Sequence, residues 1–197
     1  MSDSIGVIVL AAGQGSRFRQ VAGDDKDKLL VDCTARDGIT VHSMIEQVLV
    51  NLPATLEKRV LVTTADRPQV IRMAQAYGCE IVRIETTGLG DSIAAGVAAC
   101  SHLGGWLIML GDMPFILPSS IEQVVAAIAD DAISVPVHEG QYGHPVGFGR
   151  SFGPGLMALT GDQGAKSLFA QARVVEVAVE DPGVLWDVDT PERLVFA

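Results

Sequence analysis

Cysteine is scarce in this 197-residue chain, and the three present, Cys33, Cys79 and Cys100, are an odd number with no C-x-x-C spacing. That excludes a disulfide framework and a cysteine-built zinc site, and it leaves the thiols as reduced core groups, because free cysteine is among the most buried side chains. Positive charge is scarce as well: 14 lysines and arginines stand against 24 acids, a formal net charge of −10. Nucleic-acid backbones are held by basic side chains that neutralise phosphates, so no nucleic-acid partner is expected. Long apolar runs are missing although 48% of residues are hydrophobic. None approaches the roughly 18 consecutive apolar residues of a membrane span, so the expectation is a soluble protein with no membrane partner. The opening "MSDSIG" carries an acid and no basic n-region, so no cleavable signal is expected and a cytoplasmic location follows. No repeat, low-complexity tract or linker divides the chain, whose length suits one domain over 1–197.

What is present is an alternation. Strand-like runs occur at Ile5 to Leu10, Arg59 to Thr64, Cys79 to Ile84, Trp106 to Gly111, Ala132 to Val137 and Arg173 to Val179. Most are continuously apolar, as strands covered on both faces tend to be. Helical patterns lie between them. "TVHSMIEQVLVNL" places Val41, Met44, Ile45, Val48 and Leu49 on one face, and "PQVIRMAQAYG" opens on Pro68 and closes on Gly78. "PSSIEQVVAAIAD" follows the same grammar. Strands alternating with helices of this length predict an α/β fold with a mainly parallel sheet and helices on both faces. Ligands of such sheets bind outside the carboxyl ends of the strands, which directs attention to the loops after Leu10, Thr64, Ile84 and Leu110.

The first of these loops, "LAAGQGSRFRQVAGDDKDKLL", gathers Arg17, Arg19, Lys26 and Lys28 beside glycines on an otherwise acidic chain, a local basic site for a small anion. A dinucleotide fingerprint fails, since Phe18 stands where its third glycine or alanine belongs, and no Walker-type loop exists in the chain. A wide loop remains, with glycine amides facing phosphates and cations closing round them. Gly13 and Gly15 allow close backbone approach, while Ala11 and Ala12 keep the end of the strand after Leu10 narrow enough for a base or ribose. Arg17 offers a planar fork of donors and Lys28 a point charge. A glycine turn with solvated cations accounts for the same letters.

Carboxylates follow. "LIMLGDMPFI" sets Asp112 at the carboxyl end of a buried strand, as a magnesium ligand or as a turn aspartate. "LWDVDTPERL" supplies Asp187 and Asp189, which point the same way if the segment is extended; Asp189 before Thr190 and Pro191 also reads as a helix cap. "TTGLGDSIAAGV" places Gly88, Gly90 and Ser92 after another strand, at the sheet mouth or as a plain helix start capped by Ser92 or Asp91.

"LAAGQGSRF" followed by "DKLL" resembles the nucleotide-binding signature of the MobA-like nucleotidyltransferases, a superfamily that includes the molybdenum cofactor nucleotidyltransferases. The resemblance implies a Rossmann-like three-layer domain of the nucleotide-diphospho-sugar transferase type, with Gly13, Gly15, Arg17 and Lys28 on a triphosphate. Arg19 departs from the glycine many relatives have, and Lys26 competes with Lys28, which "DKLL" favours. By the same resemblance "GDMP" and the late Asp-Thr-Pro make Asp112 and Asp189 holders of Mg2+, with Asp187 the weaker third choice, and "GLGDS" reads base and ribose. "GQYGHPVGFGR" and "LTGDQGAKSLF" are similar to the molybdenum cofactor cytidylyltransferase branch, which sets His144, Asp162 and Lys166 on the acceptor side; Lys166 replaces an arginine there. His144 reads equally as an internal hydrogen-bonding residue.

The activity so implied is transfer of CMP from CTP to the terminal phosphate of a molybdopterin-type cofactor, with a molybdenum hydroxylase or its chaperone as a further partner. The acceptor phosphate is already ionised, so no Ser/His/Asp or Cys/His nucleophile is needed, and none is evident. The alternatives are a same-fold transferase with another NTP or acceptor, a cofactor chaperone without chemistry, and an NAD(P)H-dependent oxidoreductase. For the last, only "GPGLMA" fits a dinucleotide pattern by letters; it contains Pro154 and follows no clear strand-like run.

Overall fold

The computed structural model describes residues 4–23, 27–85 and 88–197. Its first strand, β1 (Ile5–Leu10), pairs in parallel with β4 (Lys58–Thr64) on one side and β6 (Gly105–Leu110) on the other. β5 (Glu80–Ile84) extends the parallel part beyond β4. On the opposite flank β9 (Val146–Gly149) runs antiparallel to β6 and to β7 (Ala132–His138), which pairs in parallel with β10 (Arg173–Ala178). The order is β10-β7-β9-β6-β1-β4-β5, with the short β8 (Gln141–Tyr142) attached to β7. A separate hairpin joins β2 (Asp32–Thr34) to β3 (Val41–Ser43).

Strand side chains alternate between two apolar layers although the sequence runs are continuous. Val7, Val9, Leu61, Leu107 and Met109 face one layer, closed by helices α2 (Met44–Val50), α3 (Pro68–Ala76) and α5 (Pro118–Ala126). Ile8, Leu10, Val60, Val62 and Ile108 face the other, closed by α4 (Leu89–Ala99) and the short α6 (Gly153–Met157). Both faces are covered at the sheet centre, which is why β1 and β6 carry no charged residue. The fold is the mainly parallel α/β architecture that the alternation predicts. Cys33, Cys79 and Cys100 are free and buried, and burial pushes Cys33 and Cys79 up to about 11. No helix among the described residues is long and apolar enough to cross a membrane.

Two predicted features differ. Val41 does not join the apolar face of α2: it lies in β3 and is exposed, because the β-branched stretch around it pairs with Asp32–Thr34 before the helix begins at Met44. β9 is the larger omission. Its four residues alternate with glycines in "VGFG", too short a run to read as a strand, yet they sit at the centre of the sheet's antiparallel half.

Candidate active site

Register decides where the site forms. Leu10 stands opposite Leu110 on one neighbour and Val62 on the other, so the chain leaves β1 and β6 at one level while β4 runs two residues further. After Leu10 the loop reaches Gly15, whose φ of 60° is left-handed, a conformation glycine adopts without strain, and there α1 (Ser16–Ala22) starts. A side chain at Gly15 would also press on the Lys28 stem, 3.2 Å from its Cβ position. Among the described residues, no backbone carbonyl accepts from the N–H groups of residues 12 to 15. The loop therefore presents unused donors.

A cavity of about 660 Å³ opens over this loop. Leu10, Ala11, Ala12, Gly13, Gly15, Arg17, Lys28, Ser92, Asp112, Asp162 and Asp189 all line it, from segments spread over most of the chain. At its centre Lys28 Nζ donates to Asp112 Oδ2 at 2.8 Å and to Asp189 Oδ1 at 3.3 Å, while Arg17 Nη1 donates to Asp189 Oδ2 at 3.1 Å. Lys28 is buried on a 3-10 turn, Lys28–Leu30, capped by Asp27; Arg17 is exposed. Lys26 lies outside the described residues.

Burial works to raise the Asp189 carboxyl, but the Lys28 charge, with hydrogen bonds from Lys28, Asp187 and Arg17, carries it below the ordinary carboxylate value. Burial and the neighbouring Asp189 charge push Asp187 up instead. Asp187 is turned toward Arg193, 3.7 Å away. Asp189 caps no helix: Thr190 holds the position before the turn Pro191–Leu194. Among the described residues no group of three or more His, Cys, Asp or Glu side chains forms a metal cluster. Asp112 and Asp189 nonetheless converge on one cation, the Lys28 ammonium, and two carboxylates completed by phosphate oxygens and water suffice for Mg2+.

A second cavity, about 690 Å³, shares Leu10, Leu89 and Leu110 with the first. Its walls are mostly apolar, among them Ile93, Ile108, Val135, Val146, Phe148 and Phe169, with His144 and Lys166 at the polar positions. The His144 Nδ1 is buried and has no hydrogen-bond partner among the described residues, and burial holds the imidazole below its usual value, partly opposed by the Asp112 charge. The structure thus separates three residues expected together: His144 and Lys166 border the apolar cavity, Asp162 the first.

Gly88 and Gly90 are placed otherwise than expected. Neither is among the residues lining the two cavities. Gly88 caps α4, and a Cβ on Gly90 would stand 2.6 Å from the Gln163 carbonyl oxygen, so these glycines let the helix start pack on the 160–163 loop. Ser92 is no cap either; its hydroxyl donates back to the Gly88 carbonyl from inside the helix. "GPGLMA" does follow a strand, β9, but through a 3-10 turn, and Gly153 packs against the Trp106 indole.

One residue was passed over in the sequence. Arg67, buried at the start of α3, donates to the Ala11 carbonyl at 2.9 Å and the Gly13 carbonyl at 2.6 Å. Its only sequence signal is a place after β4, among the loops singled out above.

The MobA-like NTP transferase domain matches residues 7–177. The chain belongs to this family. Within the MobA-like fold, it superposes on a nucleotidyl transferase from Methanothermobacter with a TM-score of 0.81 at 19% identity, covering 98% of this chain and 94% of that one. On the Mycobacterium tuberculosis protein Rv0371C in complex with manganese the TM-score is 0.72 at 23% identity, covering 96% and 95%. Among curated relatives, the purine catabolism protein PucB of Bacillus subtilis is 32% identical over 111 residues, 54% of this chain and 54% of PucB, so the chain spans about half of that relative's length. What the match establishes is membership of the MobA-like NTP transferase family, over residues 7–177.

Proposed function

We propose that this nucleotidyltransferase moves CMP from CTP to the terminal phosphate of a molybdopterin-type cofactor and releases pyrophosphate. The observation that carries the reading is the convergence of Lys28, Arg17, Asp112 and Asp189 in a donor-rich cavity that shares Leu10, Leu89 and Leu110 with an apolar one. A phosphate ester whose body is a flat ring system suits that pair of compartments: the charged end meets the first, the ring the aromatic walls of the second. A hydroxyl-rich sugar would find few partners there.

In this reading an acceptor phosphate oxygen attacks the α-phosphorus of CTP. The new P–O bond forms as the bond to the β-phosphate oxygen breaks, and pyrophosphate leaves with its electron pair. Donors of residues 12 to 15 and the Arg17 guanidinium hold the β- and γ-phosphates and take up the growing charge. Lys28 exchanges its carboxylate partners for phosphate oxygens. Mg2+, which Asp112 and Asp189 would hold, supplies charge neutralisation and a fixed orientation of phosphate oxygens. The manganese in Rv0371C supports a divalent ion in this fold. His144 stands near Asp112 as a neutral group on the acceptor side. A relative named for purine catabolism is compatible with a molybdenum hydroxylase as client, and the reading places the work in the cytoplasm.

Pyrophosphate release from purified protein with Mg2+ and CTP, GTP or ATP, each with and without the molybdenum cofactor, tests this. Release with CTP only, and only with acceptor, is the expected result. Release with GTP would move the base assignment. Silence from protein that still binds the cofactor would make it a carrier.

A further inference from the structure

Arg67 connects two segments that the proposed reaction needs in register. Its Nη1 and Nη2 hold the carbonyls of Ala11 and Gly13 in the glycine loop, and its Nε faces Asp27 Oδ2 at 3.6 Å. Asp27 Oδ1 in turn accepts from Leu29 N at 3.1 Å and so caps the turn that carries Lys28. One buried guanidinium therefore ties the phosphate loop to the lysine's turn. Thr63 Oγ1 also donates to the Ala11 carbonyl, at 3.0 Å, which leaves that oxygen doubly engaged.

The consequence follows from peptide geometry. In a trans peptide the C=O and the following N–H point in opposite directions. Holding the carbonyls of Ala11 and Gly13 against Arg67 turns the N–H groups of Ala12 and Gln14 to the other face. Those two belong to the set with no backbone acceptor, and Ala12 and Gly13 line the cavity while Arg67 is not among its lining residues.

We infer that Arg67 is a positioning residue that fixes the donors of the glycine loop and the Lys28 ammonium at the separation one triphosphate requires. The inference rests on the nucleotidyltransferase reading above. Arg67 touches no substrate; it acts through Ala11, Gly13 and Asp27. Its loss is felt where both segments grip the same ligand, on the β- and γ-phosphates, and much less on the nucleoside half.

Two measurements test it, on Arg67→Met and on Asp27→Asn. The second variant keeps the oxygen that caps Leu29 and turns the group facing Arg67 from a charged acceptor into a neutral amide nitrogen, which breaks that pair without emptying the loop, so it folds even if the first does not. Amide hydrogen exchange of the protein without nucleotide comes first. Arg67→Met should speed exchange in residues 11–15 and 27–30 together, and Asp27→Asn in residues 27–30 alone, with the strands unchanged. Calorimetric titration with CTP and with CMP comes second. Arg67→Met should weaken CTP at least about tenfold, the scale of lost hydrogen bonds from a charged group, and CMP far less; Asp27→Asn should weaken CTP about threefold, the scale of a long ion pair whose carboxylate keeps some contact with water. The double variant should be no worse than Arg67→Met. Unchanged exchange in both segments, or equal losses for CTP and CMP, overturns the inference. A wild-type protein that does not prefer CTP to CMP would count against the reading of the loop as a triphosphate cradle, and the exchange data would still decide whether Arg67 couples the two segments.

Discussion

Lys28 is a buried cation whose two acceptors are carboxylates on distant parts of the chain, Asp112 beyond β6 and Asp189 near the end. A buried charge keeps its place only when paired, because desolvation costs several kcal/mol per ion. The pairing explains how a lysine can wait inside a cleft, and it also means that removing Asp112 changes two things: one arm of the cation site and one anchor of the lysine. Asp112→Ala is expected to cost at least about a hundredfold in turnover, the scale of losing a main electrostatic element. Pyrophosphate release under saturating CTP reads it, and near-normal turnover would remove Asp112 from the chemistry. Asp187→Asn should cost much less, since that side chain does not line the cavity and asparagine can still donate to Asp189.

Helix α4 sets Ser92 on the cavity wall while its glycines serve packing. "GLGDS" has the glycines of a binding turn, but the backbone of residues 160–163 occupies the space where a side chain on Gly90 would go, with the Thr160 oxygen at 2.8 Å and the Gln163 oxygen at 2.6 Å. Alanine there gains less than the roughly 0.8–1 kcal/mol of a helix interior, because Gly90 stands in the first turn. It also meets backbone atoms that cannot swing aside, an overpacking that costs about 1–3 kcal/mol. Gly90→Ala should therefore lower the melting temperature, with a shift of the 160–163 loop and of Asp162; an unchanged or raised value would show that this contact is loose. The same comparison tells what was legible in the sequence. β1, β4, β6 and β7 were readable because their buried stretches are apolar on both faces, and β5 and β10, at the sheet edges, because valines and isoleucines recur between their charged residues. β9 was not, since its pairing with β6 and β7 is decided by distant partners. Gly13, Gly15, Lys28, Asp112 and Asp189 were named from motifs and are brought together around one cavity. Arg67 was not, because its bonds to Ala11 and Gly13 exist only once β1 and β4 lie side by side.

At the scale of the molecule, the acidic chain sets the Lys28 and Arg17 ion pairs in the cavity beyond the ends of β1 and β6, and a buried imidazole near Asp112. His144 is pushed below its ordinary 6.5 by burial, the Asp112 charge opposing in part. The sign of the effect on stability follows. Between the folded value and 6.5 the unfolded chain holds a proton that the native state does not, so stability falls as the pH falls through that window and is fully present above it. The limiting slope for one such group is about 1.4 kcal/mol per pH unit. Asp189, held low, gives the same sign but in the carboxylate range, and Asp187, pushed up, gives the opposite sign there. Below neutrality and above the carboxylates, His144 therefore contributes its own part of the acid sensitivity. Melting curves of the wild type and of His144→Gln at pH 7.5, 6.5 and 5.5 isolate it. The advantage of the wild type over the variant should shrink with each step down, because glutamine takes up no proton. A difference that stays constant with pH would mean that the imidazole finds a partner in solution, and that the polar atom in the wall of the apolar cavity is not there to be used by an acceptor.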